Sequence, residues 1–443
     1  MPDSSLIEAL AAALLGGEPA VDLLNDRCCR MLGRRWRWIR SLAQRYVKAF
    51  ERGTRPRHRE VVGFLRGDAG LESAWARHRD EIVVRELLPE PLSMLPVRAA
   101  AGWGIPAIDS TGDLAKWLGV GPGDLRWFAD LKGLGYKQHQ PRLEHYHYRL
   151  LAKGFGSLRL IEAPKPRLKD LQLQILRWIL EKVPPHPAVH GFVRGRSIRT
   201  FVAPHVGKEV VVRMDLRDFF PTFGGVRIQN MFRTLGYPEP VADLLGGITS
   251  NRTPLNIWKD SGARVDVEDL AELGRLYARP HLPQGAPTSP ALANISCYGL
   301  DCRLGALAAS AGATYTRYAD DLAFSGGRDF ESRVERFAAH VGAALLEEGF
   351  RVNHRKTRVM RRGVRQHLAG LVTNEKANIR RSDFDRLKAA LNNCVRFGPE
   401  SQNRERRPDF RSHLQGRVSF VEMINPVKGK RLRTIFEQIR WEP

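Results

Sequence analysis

Asp320 and Asp321 stand side by side in Tyr315-Thr316-Arg317-Tyr318-Ala319-Asp320-Asp321-Leu322-Ala323-Phe324. Apolar and aromatic residues flank the pair, in a pattern that reads strand, turn, strand. Two carboxylates at a hairpin tip repel each other, and a cation between them relieves that cost. An exposed Asp-Asp turn is the bland alternative. A third acid weighs against it. Val210-Val211-Val212-Arg213-Met214-Asp215 places Asp215 at the end of a buried, β-branched strand, with a helix or turn expected from Pro221. A strand-end carboxylate beside such a hairpin is the layout for two Mg²⁺ ions about 3.5–4 Å apart. Mg²⁺ takes one or two carboxylates together with phosphate oxygens. Asp218 reads as a solvated or turn-capping residue.

The elements that must position these acids sit in a 443-residue chain, enough for two to four domains. With 71 Lys+Arg against 48 Asp+Glu, the net charge is +23, a field that favours polyanions. It is concentrated at two places. Residues 27–66 carry 13 basic and 2 acidic side chains, including Arg34, Arg35, Arg37 and the run Arg52 to Arg59; residues 351–443 carry 23 basic and 9 acidic. Solvated helix faces are the bland reading of one such run. Two runs flanking a balanced centre point to nucleic acid. A hydrophobic share of 43% excludes a wholly disordered chain. Five scattered cysteines, none in a C-x-x-C pair, argue against a disulfide framework or structural zinc and suggest a reducing cytoplasm. No apolar run reaches the roughly 18–20 residues that span a bilayer, so no membrane is expected. Leu6 to Leu15 lacks a basic segment before it and reads as a short helix, capped by Ser4 or Ser5 and ended by Gly16-Gly17.

Further expectations follow along the chain. Trp36–Phe50 and Ala74–Leu88 are amphipathic helices, and the Pro- and Gly-rich run from Pro89 to Pro106 is a linker. Short helices lie within 111–131, a hairpin within 145–163, and helices over 168–181 and 330–349. His139, His145 and His147 fall in a basic, aromatic stretch and read as RNA-facing or half-buried rather than as a zinc site.

Three motifs occur in order: Asp215 with Phe219-Phe220, Leu282-Pro283-Gln284-Gly285-Ala286-Pro287-Thr288-Ser289-Pro290, and Tyr318-Ala319-Asp320-Asp321. The set closely resembles the bacterial reverse transcriptases, the retron type in particular. Arg159 to Pro164, His190-Gly191-Phe192, Asn353 to Lys356 and Leu368-Ala369-Gly370 extend the likeness over roughly residues 110–375. The resemblance implies an α+β right-hand polymerase: a helical N-terminal extension over 1–105, fingers over 106–205, a palm with an antiparallel sheet over 206–375, and a helical basic thumb over 376–443.

It also implies roles. Asp215, Asp320 and Asp321 match metal ligands for two Mg²⁺, with Mn²⁺ as a substitute. Phe220 matches the ring that excludes a ribose 2′-hydroxyl. Gln284 and Gly285 match the loop lining the nucleotide pocket. Lys153 and Arg159 match residues holding the triphosphate, Lys356 one near the leaving pyrophosphate, and Gly370 the primer grip. Arg34, Arg35, Arg37, Arg386, Lys388, Arg404, Arg406 and Arg407 are then the nucleic-acid contacts. The implied reaction is RNA-templated addition of deoxynucleotides. The implied partners are deoxynucleotide triphosphates, a structured non-coding RNA, its covalently linked DNA product and an effector or toxin protein in phage defence. Two elements depart from the retron pattern. Of its Asn-Ala-x-x-His element, linked to RNA handling, His205 alone remains in Phe201 to His205; and Leu368-Ala369-Gly370 stands for Val-Thr-Gly. The alternatives are a related defence or mobile-element reverse transcriptase without retron RNA and, in another class, a catalytically idle RNA-binding protein.

Overall fold

The computed structural model describes residues 2–50, 55–86, 92–138, 144–152, 158–259 and 267–441. The chain forms two compact units: Met1–Pro184 with Phe220–Ser296, and Pro185–Phe219 with Cys297–Pro443.

The first unit opens with five helices, Ser4–Leu15, Val21–Met31, Arg37–Ala49, His58–Arg66 and Ala69–His78. In Arg37–Ala49, Ile39, Leu42, Ala43 and Tyr46 are buried, an i, i+3, i+4, i+7 stripe that leaves arginines outward. Three expectations need correcting here. Ser4 and Ser5 lie inside the first helix, which Asp3 precedes without a side-chain cap. The helix expected over 74–88 runs over Ala69–His78, because Asp68 accepts from Leu71 N at 2.7 Å and pairs with Arg45. Arg85 and Glu86 instead donate their backbone N–H groups to Met31 O. The Pro-rich run is not a free linker in its described part. Leu95 N bonds Gly236 O, Met94 N bonds Asp109, and Tyr237 donates its hydroxyl to Pro106 O.

Helices Thr111–Leu118 and Pro122–Ala129 lie where Ser110 and Gly121-Pro122 start them. Strands β1 (Tyr146–Ala152) and β2 (Leu158–Pro164) pair antiparallel with Leu151 opposite Arg159. Helix Pro166–Trp178 follows. Its buried Gln172 donates to Tyr146 Oη and to Ile248 O.

The second unit is built on an antiparallel sheet of order β4-β5-β3-β6: β3 (Val210–Asp215), β4 (Ala313–Tyr318), β5 (Asp321–Gly326) and β6 (Arg358–Arg361). β3 is central, and Val210, Val211 and Val212 are all fully buried, which explains its continuous β-branched run. The helix expected over 330–349 is broken at Ser332-Arg333 into Arg328–Glu331 and Val334–Glu347. Strands β7 (His367–Leu368) and β8 (Leu371–Val372) form a small hairpin. Helices Arg381–Phe397, Phe410–Ile424 and Pro426–Glu437 close the chain. Leu387, Leu391, Val418, Val421, Leu432 and Phe436 join one core with Val211 and Leu368. The first of these helices begins at Arg381.

All five cysteines are free thiols. Among the described residues, no helix is long and apolar enough to cross a membrane.

Candidate active site

The β3–β5 register sets Asp215 opposite Asp321, so the two side chains leave the same face of the sheet. Between β4 and β5 the chain reverses through Ala319 and Asp320, with Ala319 left-handed at φ +54°. Leu216 N donates to Asp320 O at 3.0 Å and Asn353 N to Asp215 O at 2.7 Å, tying the three acids' backbones into one framework. Asp215 is buried.

Burial, with crowding second, favours the protonated form of Asp320 and Asp321. The Asp320 carboxyl is pushed up to about 6, first by burial and then by Asp215 and Asp321. Burial also pushes the Asp321 carboxyl up, against the pull of Arg213. Arg213 donates from Nε at 2.9 Å and Nη2 at 2.8 Å to the same Asp321 oxygen, Oδ1. Lys356 Nζ donates to Asp215 Oδ2 at 3.0 Å. Among the described residues, no three His, Cys, Asp or Glu side chains converge as a ready-made metal cage. The donor chemistry nevertheless fits a hard divalent cation. It offers carboxylate oxygens alone, two of the carboxyls pushed toward protonation, first by burial, and such a cation completes its shell with phosphate oxygens.

The two phenylalanines after Asp218 differ in burial. Phe219 is buried and stacks on Phe350 at 6.1 Å, whereas Phe220 is partly exposed. Gln284 and Gly285 lie in a loop held by β2. Glu162 N donates to Gln284 O at 2.9 Å, and Gly285 has φ +139° with its α-carbon so close to Glu162 that a Cβ would stand 2.8 Å from the Glu162 carbonyl oxygen. Only glycine fits both the angle and the approach. Beneath this loop, fully buried Glu162 accepts from Asn251, Thr253 and His281. Burial alone would raise the Glu162 carboxyl; His281 and these donors hold it below the usual range. Arg159 is exposed on β2, and Lys153 lies outside the described residues.

Gly370, at φ +83°, turns the β7–β8 hairpin and lines a groove of about 540 Å³ with Leu387, Ser412, Arg417 and Phe420. Arg34 pairs with Glu81 at 2.7 Å and lies over the Trp36 ring, while Arg35 and Arg37 are exposed. Arg386 pairs with Asp383 and Arg407 with Glu405; Lys388, Arg404 and Arg406 are exposed. His145 is half-buried and donates from Nε2 to Trp127 O, His147 is exposed, and His139 lies outside the described residues. His205 does not face solvent at all. Its ring is fully buried between Ser325 Oγ at 2.6 Å and Thr316 Oγ1 at 2.7 Å, so it cannot touch RNA directly.

Sequence reasoning missed Arg213. The signal was present: a charge within an otherwise apolar strand, two residues before Asp215 and hence on its face. Glu162 and His281 gave no such signal, because 119 residues separate them.

Residues 151–372 match the family model described as "Reverse transcriptase (RNA-dependent DNA polymerase)". The chain is 40% identical over 370 residues to the Retron Mx65 reverse transcriptase of Myxococcus xanthus, covering 82% of this chain and 78% of that protein. It is 38% identical over 342 residues to the Retron Mx162 reverse transcriptase of the same organism, covering 74% and 66%. To the Retron Ec86 reverse transcriptase of Escherichia coli it is 30% identical over 283 residues, covering 64% and 77%.

Proposed function

The chain belongs to the retron-type reverse transcriptases and is an RNA-directed DNA polymerase; from that premise we propose that Asp215, Asp320 and Asp321 form its metal-holding site and that it copies a cognate structured RNA into covalently linked DNA. The observation carrying the site assignment is the register that sets Asp215 across from Asp321, one residue from Asp320. Mg²⁺ is the cation we assign; when bound, it neutralises charge on the phosphates during in-line transfer.

The protein's own groups have separable tasks in this reading. Arg159 and Lys153 hold the triphosphate by charge-assisted hydrogen bonds. Gln284 and Gly285 present backbone to the nucleotide. Phe220 bars the 2′-hydroxyl by bulk. Lys356 leaves Asp215 to meet the departing pyrophosphate. The Gly370 hairpin and the helices from residue 381 grip the primer duplex. Fingers over 106–205, palm over 206–375, thumb over 376–443 and an extension over 1–105 are the corresponding division. A role in phage defence, in the cytoplasm and with an effector protein, completes the proposal.

Primer extension on an RNA template with Mg²⁺ tests the site. Asp320→Asn and Asp321→Asn should each abolish extension and leave RNA binding near wild type. Near wild-type extension by either variant would overturn the metal assignment. Sequencing the RNA and DNA that co-purify with the protein tests the substrate. Recovery of one structured RNA joined to its DNA copy is expected; unlinked or heterogeneous RNA would favour a related reverse transcriptase without retron RNA.

A further inference from the structure

We infer that the buried Asp301–Arg317 pair is the positioning device of the catalytic turn, setting the conformation of Ala319 and through it the placement of Asp320 and Asp321. The inference rests on the metal-holding role proposed for those two acids.

Arg317 is the third residue before Asp320, and it is fully buried although it carries a charge. Its Nε and Nη2 donate to Asp301 Oδ1 and Oδ2 at 2.8 and 2.7 Å, the planar two-point match of guanidinium to carboxylate. Asp301 lies on helix Tyr298–Ser310, is equally buried, and also accepts from the Tyr315 hydroxyl at 2.8 Å. The remaining nitrogen, Nη1, donates to the carbonyl of Ala319 at 3.2 Å. Ala319 is the left-handed residue of the turn, a conformation that a residue with a Cβ adopts only when its surroundings impose it.

A second contact acts on the same residue, at its other peptide bond. Arg317 N donates to Ala188 O, and His190 N donates to Arg317 O, so Val189 makes a single parallel bridge to β4 at Arg317. This brings Gly191 onto the turn, where a Cβ would stand 2.7 Å from Ala319 N and 3.2 Å from Tyr318 C. Ala319 is therefore held from two sides, by the guanidinium at its carbonyl and by Gly191 against its nitrogen.

A buried ion pair of this kind is a poor way to stabilise a fold, since a packed apolar pair of similar volume does as well or better. What it supplies is direction. The fork of Arg317 fixes where the Ala319 carbonyl points, and that fixes the start of β5. Groups that orient metal-holding side chains without touching the metal typically change affinity by about 10–100-fold when altered.

The test is Mn²⁺ binding by the full-length protein, read by electron paramagnetic resonance, with thermal melting by circular dichroism on the same samples. Arg317→Lys keeps the charge but loses the fork. The double variant Asp301→Asn with Arg317→Met removes both charges together, so no lone buried charge is left if the single variant fails to fold. Gly191→Ala presses on the turn from the other side. Each folded variant should bind Mn²⁺ about tenfold or more weakly than wild type below its melting transition, and Tyr315→Phe, which spares the Ala319 bond, should stay within a factor of about 3 on the same scale. Folded Arg317→Lys or double variant with wild-type Mn²⁺ affinity would overturn the inference. Asp320→Asn separates this from failure of the underlying site: if it too binds Mn²⁺ like wild type, the metal assignment has failed, and if it alone loses the ion, the positioning role has failed.

Discussion

Arg213 places two hydrogen bonds on one oxygen of Asp321, Oδ1, and none on the other. The strand register explains the reach. Arg213 faces Ala323 and Asp215 faces Asp321, so Arg213 lies diagonally across from Asp321 on a shared face. The guanidinium thus holds the carboxylate in one orientation with its second oxygen turned away.

Arg213→Gln should therefore lower primer extension by about 10–100-fold. It should also move the acid limb of the pH profile of kcat/KM upward. Burial already raises the Asp321 carboxyl and Arg213 opposes that rise, so losing the cation raises it further and leaves less carboxylate at any given pH. Arg213→Lys, with the charge kept, should lie between the two. An acid limb that stays in place in Arg213→Gln would show that the pair does not govern ionisation.

The adjacent phenylalanines should respond differently to truncation. Phe219, buried and stacked on Phe350, is a core residue, and Phe219→Ala should cost about 3–5 kcal/mol of stability. Phe220 is partly exposed, and Phe220→Ala should leave the melting temperature nearly unchanged while raising ribonucleotide use relative to deoxynucleotides by about 10–100-fold. Single-nucleotide incorporation kinetics measure this directly. Unchanged selectivity would mean that another side chain bars the 2′-hydroxyl.

Legibility in the sequence followed how local each feature is. The β-branched run ending in Asp215 and the turn through Asp320 were readable because period and turn chemistry are local. The helix expected over 74–88 moved because Asp68 binds Arg45, 23 residues away. His205 was read through a family element tied to RNA and is instead a buried crosslink. Arg317 looked like one more residue before the acidic pair; its role depends on Asp301 and Gly191, which no spacing rule connects to it.

His205 makes acid stability predictable. Thr316 spends its hydroxyl proton on Phe201 O, so it accepts from His205 Nε2–H, and Nδ1 accepts from Ser325. The ring is thus neutral, and burial pushes its pKa down to about 3. The folded value lies below the ordinary 6.5, so the stabilisation is fully present above pH 6.5 and is lost as pH falls toward 3. Between pH 7 and pH 5 this one group should cost about 2 kcal/mol. His205→Gln should be less stable at pH 7 but show a flatter decline over that range in urea titrations. A decline as steep as wild type would assign the acid sensitivity elsewhere.

The basic tail makes a prediction about salt. Arg404, Arg406 and Arg407 follow helix Arg381–Phe397 in an exposed segment, while the apolar stripes of that helix and the next two are consumed by their common core. Their charge is therefore available to a duplex backbone, whose neutralised phosphates release counterions. Each such contact steepens the log–log salt dependence of binding by about 0.7–0.9 units. Arg407 is already paired with Glu405, so Arg404 and Arg406 should carry most of the effect. Replacing all three with Gln should flatten the slope by about 2 units and shorten the products, without altering nucleotide choice, because the contact proposed for this segment is with the backbone alone. Filter binding across a salt series, with product lengths on a gel, measures both. The corresponding triple change at Arg34, Arg35 and Arg37 should have a smaller effect, since Arg34 is held by Glu81 and Trp36. If the order reverses, with the tail variant keeping the wild-type slope and the N-terminal variant losing it, the main grip on RNA is the helical N-terminal region and the tail charge faces solvent.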